Sequence, residues 1–322
     1  MDALREKVDL VSTLGGDGTI LHAAALFATT QDVPPILSFS MGTLGFLGEW
    51  KFEEYKRAFR EVYMSGAGAG YGSTLFDDEN AVQQSAAKGD HDPHEETTIP
   101  TSWSSIRGKA MGTTRGARVL LRNRLKVGVY NSHGKLVTSD DSEASTSEDV
   151  YAMNEVTLHR GAAPHLCMIE VYIGGRFLTS AIADGMIIST PTGSTAYSLS
   201  SGGSIVHPLV NSLLLTPICP RSLSFRPLVL PANTPITLRL SEKNRAEEVE
   251  VSIDGIRREK GLGQGMEVRV WGEVTKESNG NWAGGVPSIV RGTVGQDIHG
   301  EDHWVGGLNG LLKFNYPFGE DR

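Results

Sequence analysis

The first 65 residues alternate between short apolar runs and segments with helical periodicity. The run at 8–14 leads directly into Gly-Gly-Asp-Gly, after which residues 19–30 carry apolar side chains at the spacing of a helix face. A second apolar run at 34–40 is followed by a glycine-rich turn and by another helical pattern at 52–66. This β-α-β-α order predicts a parallel sheet, with GGDG as the turn between the first strand and the first helix.

The pattern changes to that of β-structure in the second half of the chain. Strands are predicted at 118–131, 151–160, 167–173, 176–190, 236–242, 248–254 and 267–274. Gly174–Gly175 separates two of these runs as the two-residue turn of a β-hairpin does. One helix is predicted after TPTGSTAY, at 190–197, and another near the end of the chain at 301–315. We therefore expect a mostly antiparallel β-domain with few helices.

Two polar stretches interrupt these patterns. Residues 66–116 are rich in glycine, hydroxyl-bearing and acidic residues, and 139–150 is a shorter acidic run. Neither can bury enough apolar surface to offset the entropy of ordering it, so we expect a disordered insertion and a loop. Residues 75–115 hold seven acidic and four basic side chains, and 139–150 holds five acidic and no basic ones. These stretches account for the whole net charge of −8, so the acidity does not exclude an anionic substrate.

The predicted organisation combines an α/β part with an all-β part. An α/β domain occupies 1–65, an insertion 66–116 and an antiparallel β-rich domain 117–299, and residues 300–322 are expected to pack back on the first domain. A chain of 322 residues is long enough for two such domains, each with its own core.

Composition excludes several classes of protein. Two cysteines are too few for the disulfide framework of a small secreted protein. A net negative charge is unlike that of a protein that binds the phosphates of a nucleic acid. No apolar run approaches the roughly 18 residues of a membrane span. We therefore expect neither a nucleic-acid nor a membrane partner, and a cytoplasmic location. The mitochondrial matrix stays open as the alternative, because a preceding segment would be the place for a targeting sequence.

The first candidate for chemistry is GGDG at 15–18, between a strand and a helix. Backbone N–H groups at a helix N-terminus suit a phosphate, and glycine lets the phosphate come close. The Asp17 carboxylate at that place is suited to accept a proton from an attacking hydroxyl. The alternative is a simple turn in which Asp17 or Thr19 caps the helix. The chain contains no Walker loop.

Two further segments have the side chains of a nucleotide site. Within residues 184–203, a predicted strand is followed by the turn Pro-Thr-Gly-Ser-Thr. The hydroxyls and backbone N–H groups of this turn, together with the ring of Tyr197, suit a ribose and a flat base. Asn154-Glu155 lies in an otherwise apolar run, and an amide beside a carboxylate can bind a ribose diol. The alternatives are ordinary helix caps and a polar pair at a strand end.

Two other motifs give only weak evidence for a metal site or a dinucleotide-binding loop. His299 and His303 have the spacing of two metal ligands on a helix, but no third ligand is evident, so a solvated helix start is favoured and no metal ligand is predicted. GLGQG at 261–265 lacks the last glycine of a dinucleotide fingerprint, and we interpret it as a loop.

In this order, the motifs resemble those of the NAD kinase family. The resemblance rests on LGGDGTIL at 14–21, PILSFSMGTLGFL at 35–47, NEVTLHRG at 154–161, DGMIISTPTGSTAYS at 184–198, TPICPRSLSFRPLVLP at 216–231 and SIDG at 252–255. GGDG alone is shared with diacylglycerol, sphingosine and phosphofructo-kinases. Its combination with Asn-Glu and TPTGSTAY is specific to the family, and the resemblance covers nearly all of the chain that is expected to be ordered.

The resemblance implies a fold and a reaction. The family has a Rossmann-like α/β domain followed by an antiparallel β-rich domain, with the active site between them. It transfers the γ-phosphoryl group of ATP, with Mg²⁺ or another divalent cation, to the 2′-hydroxyl of the adenosine ribose of NAD. Some contacts in the family come from a neighbouring subunit, so a homo-oligomer, a dimer or a tetramer, is implied.

Motif position also implies roles for individual residues. Asp17 matches the residue that activates the hydroxyl, Asn154 and Glu155 match the pair that binds the nicotinamide-side ribose, and Asp184 matches a carboxylate that reaches the nicotinamide amide. The remaining NAD-binding residues are implied at Gly18, Phe46, Thr195, Ala196, Tyr197 and Ser200, and ATP or phosphate binding at Gly15, Gly16, Thr19 and Arg221.

Two departures from the family pattern qualify the resemblance. The family has a β-α-β-α stretch before GGDG, which here begins at residue 15, so we expect the α/β domain to be incomplete. Arg221 stands where the family often has histidine, and a fixed positive charge can meet a phosphate but cannot shuttle a proton. Two other functions stay open: a lipid kinase of the diacylglycerol or sphingosine type, and a non-catalytic NAD-binding protein.

Overall fold

The chain forms two compact units, each assembled from separate stretches of sequence. The computed structural model describes residues 7–42, 45–48, 50–65, 117–137, 150–275 and 284–291, together with Leu308 and Leu312. The first unit is drawn from 1–20, 34–121 and 287–322, and the second from 21–33 and 122–286. Within the described part of the chain, every helix is too short or too polar to cross a membrane.

Strands outnumber helices throughout the described residues. The helices are α1 (Asp17–Ala25), α2 (Tyr55–Ser65) and α3 (Tyr197–Ser200), with 3₁₀ turns at Phe52–Glu54 and Thr192–Thr195. The strands are β1 (Val11–Leu14), β2 (Ile36–Ser40), β3 (Trp50–Lys51), β4 (Arg118–Arg122), β5 (Leu125–Tyr130), β6 (Val150–Ala152), β7 (Glu155–His159), β8 (Cys167–Ile173), β9 (Arg176–Ala183), β10 (Gly185–Ser189), β11 (Ser212–Ile218), β12 (Leu228–Pro231), β13 (Ile236–Leu240), β14 (Glu248–Ile253), β15 (Ile256–Arg257), β16 (Leu262–Gly263), β17 (Glu267–Gly272) and β18 (Val286–Val290).

The first unit is built on a five-stranded sheet in which β1, β3 and β18 all run parallel to β2. The sheet order is β1-β2-β18-β4, with β3 also paired to β2. All five residues of β2 are buried, as expected for a parallel strand that is covered on both faces. Its core residues are Leu37, Phe39, Trp50, Ala58, Val62, Ala117, Val119 and Ile289.

The second unit contains two antiparallel sheets around one hydrophobic core. One sheet has the order β12-β11-β10-β7-β14-β15, with β16 paired to β14, and the other has the order β6-β5-β17-β13-β8-β9. Buried side chains of both sheets, such as Val156, Met186 and Leu215 from one and Val127, Ile169 and Leu238 from the other, belong to the same cluster. A shared core of this size makes the unit a rigid support for its surface turns.

A buried ion pair attaches residues 21–33 to the second unit. The guanidinium of Arg124 lies with Nη2 2.6 Å from Oε1 of Glu273, and both side chains are almost fully buried. The same guanidinium donates hydrogen bonds to the carbonyl oxygens of Phe27, at 3.1 Å, and Thr30, at 2.9 Å. A buried ion pair is tolerated when further hydrogen bonds satisfy its donors, and here they join the segment after α1 to a β-strand end.

The predicted fold class is confirmed, and most predicted elements are present. The Gly174–Gly175 hairpin forms, with φ of 58° and 76° at its two glycines. Three details differ. β4 and β18, placed in the β-rich domain from sequence, pair in the first sheet; β11 and β12 were not predicted as strands; and residues 262–263 of the predicted loop at 261–265 form β16. Of the predicted C-terminal helix, only Leu308 and Leu312 are described, and both are helical. The insertion at 66–116 and most of the acidic run at 139–150 lie outside the described residues.

Candidate functional site

The GGDG turn places three exposed residues at the start of helix α1. Gly15 has φ of 152°, and its N–H donates to the carbonyl of Phe39 at the end of β2, at 2.9 Å. A Cβ at Gly15 would lie 3.1 Å from Cβ of Thr19 and would overlap its hydroxyl, so glycine is required. Gly16, Gly18 and Thr19 are exposed at this helix N-terminus. The position suits an anionic group.

Asp17 does not cap its own helix, which corrects the alternative considered from sequence. Helix α1 begins at Asp17 itself, and its carboxylate turns to the loop that follows β2. Oδ2 accepts a hydrogen bond from the N–H of Phe46 at 2.9 Å, and Oδ1 accepts one from the N–H of Leu47 at 3.1 Å. The backbone therefore fixes the carboxylate of Asp17 in one orientation, and the half-buried Phe46 lies beside it.

Gly45 allows this loop to approach the carboxylate. A Cβ at Gly45 would lie 2.5 Å from Cγ of Asp17, whereas a Cβ at Gly42 would meet nothing within 4 Å. We expect Gly45→Ala to displace the carboxylate, so that any reaction using this carboxylate slows by about a hundredfold, because a misplacement of about 1 Å costs that much. Gly42→Ala is the matched control and should leave steady-state rates unchanged. Equal rates for the two variants would contradict this account of the loop.

Asn154 and Glu155 lie at the break between β6 and β7 in the second unit. Their side chains are buried, with relative exposures of 5% and 8%. Oδ1 of Asn154 and Oε2 of Glu155 are buried and have no hydrogen-bond partner among the described residues. Because buried acceptors without donors are costly, this pair points to a ligand that donates hydrogen bonds.

The ionisation of Glu155 is perturbed by its surroundings. Burial, and then the negative charge of Asp254, raise the pKa of Glu155 from 4.5 to about 7. Near neutral pH the protonated and the ionised forms of the side chain are therefore both populated. A pKa shifted by burial together with one specific charged neighbour is typical of functional carboxylates.

The segment after β10 packs directly on the Asn154 backbone. The N–H of Thr190 donates to the carbonyl of Asn154 at 2.8 Å, and the Thr190 hydroxyl donates to the carbonyl of Met153 at 2.6 Å. A Cβ at Gly193 would lie 2.6 Å from the carbonyl carbon of Asn154, so only glycine allows this approach. The structure thus brings the two predicted nucleotide motifs of this unit together.

The residues that follow this contact present their side chains outward. Thr195 and Ala196 are half-buried, and Tyr197 and Ser200 are exposed on the short helix α3. Tyr197 is 41% exposed. A half-exposed aromatic ring beside hydroxyl groups can stack on a planar base.

Asp184 is not brought to the Asn154–Glu155 pair within one chain. Glu155 pairs with Ser189 at the far end of β10, whereas Asp184 precedes the first residue of that strand. Five residues of strand correspond to roughly 16 Å. The carboxylate of Asp184 instead forms an ion pair with Arg160, with Nε and Oδ1 2.5 Å apart.

Arg221 is exposed in the second unit and borders a cavity of about 400 Å³ between strand β9 and residues 220–228. Arg226 and Phe225 line the same cavity. Two guanidinium groups there are compatible with an anion, and the phosphate role implied for Arg221 stays a prediction.

Sequence reasoning gave no role to Asp254, which contacts the Asn154–Glu155 pair. Its carboxylate accepts hydrogen bonds from the backbone N–H groups of Asn154, at 2.7 Å, and Glu155, at 3.1 Å. The available signal was Asp-Gly at 254–255 between two β-runs, the sequence of a tight hairpin turn. For a metal, the described residues offer no group of three or more His, Cys, Asp or Glu side chains; His299 and His303 are not among them.

Comparison with known proteins decides the family. Residues 2–67 match the ATP-NAD kinase N-terminal domain, and residues 153–278 match the ATP-NAD kinase C-terminal domain. The crystal structure of a yeast NADH kinase complexed with NADH superposes with a TM-score of 0.67 at 36% identity, covering 100% of this chain and 70% of that one. The chain belongs to the NAD kinase family. Membership of this family argues against the alternative function, a lipid kinase of the diacylglycerol or sphingosine type.

Two fungal members of the NAD kinase family align with nearly the whole chain. A mitochondrial NADH kinase of Schizosaccharomyces pombe is 40% identical over 98% of this chain, and one of Saccharomyces cerevisiae is 37% identical over 97%. The chain spans 61% and 64% of the length of these relatives. The structure of an NAD kinase from Archaeoglobus fulgidus shares the fold, with a TM-score of 0.54 at 18% identity over 88% of this chain and 78% of that one.

Proposed function

We propose that this chain phosphorylates the 2′-hydroxyl of the adenosine ribose of NAD or NADH, with ATP as donor and ADP as the second product. The observation that carries the proposal is the pair of buried, unpartnered acceptors Asn154 Oδ1 and Glu155 Oε2. The two hydroxyls of a ribose can each donate a hydrogen bond to one of these acceptors. Membership of the ATP-NAD kinase family supports this assignment.

Asp17 is the proposed base. Its carboxylate accepts the proton of the 2′-hydroxyl as the oxygen forms a bond to the γ-phosphorus of ATP, and the bond from that phosphorus to the bridging oxygen of ADP breaks. Two backbone N–H groups hold the carboxylate in place before the reaction, so little reorganisation is needed. The glycines of the GGDG turn, the half-buried Gly15 and the exposed Gly16 and Gly18, are proposed to bind the phosphates.

The remaining NAD contacts are proposed on the second unit, except for Phe46 and Gly18. Thr195, Ala196, Tyr197 and Ser200 form the adenine and ribose surface, because they follow the Thr190–Gly193 contact and remain accessible. A divalent cation, bound with the phosphates of ATP, would neutralise charge on the triphosphate; Mg²⁺ usually binds through phosphates, waters and one or two carboxylates. The acidic clusters that a protein-held metal site needs do not occur among the described residues.

A homo-oligomer is part of the proposal. Asp184 lies at the opposite end of β10 from Glu155, so a role for Asp184 at the nicotinamide requires a site that two subunits share. Mixing an Asp184→Asn chain with a Glu155→Gln chain should then restore part of the activity, because one of the shared sites retains both carboxylates. Light scattering that finds only monomers under assay conditions would count against this arrangement.

NADH is proposed as a substrate alongside NAD. The relatives that align over 97–98% of this chain are named NADH kinases, whereas an NAD(+) kinase of Saccharomyces cerevisiae aligns over 76% at 36% identity. The two NADH kinases are also named mitochondrial, which favours the mitochondrial matrix over the cytosol for this chain. Fractionation of cells that express the full-length gene product tests the location.

The deciding experiment incubates the purified chain with ATP, Mg²⁺ and either NAD or NADH, and measures NADP or NADPH with a coupled dehydrogenase. We expect both products, and complete loss of product on addition of EDTA. Dinucleotide binding without product would favour the non-catalytic alternative. Omitting ATP, or replacing NAD with a dinucleotide that lacks the 2′-hydroxyl, provides the controls.

A further inference from the structure

The turn between β14 and β15 has a side chain that the proposed reaction does not use. Ile253 pairs with Ile256, so Asp254 and Gly255 are the two residues of a tight turn. Both have positive φ, 47° and 77°, which is the geometry of a hairpin turn in which asparagine and glycine are favoured. Asparagine or glycine would therefore satisfy the turn at position 254, and the presence of a carboxylate needs a separate reason.

The hydrogen bonds that the Asp254 carboxylate accepts explain why an acidic residue occupies this turn. Oδ2 of Asp254 accepts the N–H of Met153 at 2.7 Å, and Oδ1 accepts the N–H groups of Asn154, at 2.7 Å, and Glu155, at 3.1 Å. The N–H of Asp254 donates to the carbonyl of Glu155 at 2.9 Å. Strand β6 ends at residue 152 and β7 begins at 155. At this break the Asp254 carboxylate accepts the backbone N–H groups that the carbonyls of a neighbouring strand would otherwise accept.

We propose that Asp254 is a positioning residue for the dinucleotide site, holding the backbone of residues 153–155 so that the side chains of Asn154 and Glu155 face the ribose. The proposal deepens the proposed function and rests on it. It requires that Asp254 act through the Asn154–Glu155 backbone without touching the substrate. A carboxylate is the side chain that accepts three N–H donors at once, which asparagine cannot do with its single oxygen.

The charge of Asp254 has a second effect at the same place. The charged groups that act on this pair are Glu155, Asp254 and Arg124, whose positive charge favours the ionised form of Asp254. Burial raises the pKa of Asp254, and its three backbone hydrogen bonds oppose that shift. Next to burial, the negative charge of Asp254 is the cause of the raised pKa of Glu155. Removal of this charge should therefore move the titration of Glu155 to lower pH.

Two variants of the full chain test the proposal. Asp254→Asn keeps the turn and the volume but turns an amide N–H₂ toward backbone N–H donors, and Asp254→Gly keeps the turn without a side chain. At pH 8.5, where Glu155 is ionised in every variant, both should raise KM for NAD by about tenfold, the effect of about 1.4 kcal/mol. We expect kcat and KM for ATP to stay within about twofold. Glu248→Gln, in β14, removes one exposed negative charge and should change none of these values.

A measurement without substrate separates this proposal from the proposed function. In the ligand-free protein, carbon-13 NMR of the Glu155 carboxyl group should show a titration midpoint that is lower in Asp254→Asn than in the original chain, and unchanged in Glu248→Gln. Unchanged KM for NAD together with an unchanged midpoint would overturn the positioning role. An inactive original chain with a shifted midpoint would instead count against the proposed reaction and leave the effect of Asp254 on Glu155 supported.

Discussion

Replacement of Asp17 by asparagine is expected to lower kcat by about 10²–10⁴-fold, the contribution of a well-placed general base. The dissociation constant for NAD should stay within about twofold, because asparagine has nearly the same size and its single oxygen can still accept the N–H of Phe46 or of Leu47. The variant loses the carboxylate that is proposed to accept the proton of the 2′-hydroxyl. Single-turnover formation of NADP and calorimetric binding of NAD measure the two effects separately.

Asp9→Asn is the matched control, since Asp9 is an exposed aspartate of the same unit. Its kcat should be that of the unmodified chain. Near-normal NADP formation by Asp17→Asn would exclude Asp17 as the base. A parallel loss of NAD affinity and rate would show instead that Asp17 serves chiefly to hold the loop at Phe46 and Leu47.

Glu155→Gln should have opposite effects on binding and on stability. Loss of the buried carboxylate should weaken NAD binding by about ten- to a hundredfold at pH 8, since hydrogen bonds to charged groups contribute about 1.5–3 kcal/mol, whereas ATP binding should be little changed. Titration of the protein with each nucleotide distinguishes these outcomes. Equal losses for NAD and ATP would contradict the assignment of Glu155 to the dinucleotide.

The same variant should stabilise the ligand-free protein above neutral pH. The pKa of Glu155 is 4.5 in the unfolded chain and about 7 in the folded one, so the native state retains its proton longer and its stability falls as the pH rises from 4.5 to 7. Glutamine removes this cost, which reaches about 3 kcal/mol above pH 7 and vanishes below pH 4.5. Urea denaturation at pH 5 and pH 8 measures the difference. A benefit of equal size at both values would contradict the raised pKa.

Local sequence patterns predicted much of the fold. The β-α-β-α start and the strand runs between residues 118 and 274 follow from hydrophobic periodicity and turn residues, which act over a few neighbouring positions. The place of β18 could not be predicted in this way. It joins β2 in parallel across more than 240 residues of sequence, and no local pattern encodes that pairing.

The motifs of the candidate site could be predicted from the sequence, but the hydrogen bonds that hold their side chains in place could not. GGDG, Asn154-Glu155 and TPTGSTAY are each visible as short motifs, and the last two do meet in the structure through Thr190. Asp254 was missed because it acts from about 100 residues away, and its effect depends on burial and on hydrogen bonds to backbone. Likewise, sequence could not show that the carboxylate of Asp17 turns away from its helix.

The place of β18 in the first sheet has a consequence for the timing of folding. On the ribosome, β2 emerges about 250 residues before β18, which at about 5–20 residues per second is a delay of roughly 12–50 s. During that time β2 can pair with β1 but lacks β18, whose Ser288 pairs with Ile36. The antiparallel sheets of the second unit are complete in sequence before β18 is finished, so the unit that carries Asp17 should be the last to close. An unpaired edge of this kind invites pairing with other chains, and the nascent protein should depend on chaperones for that interval.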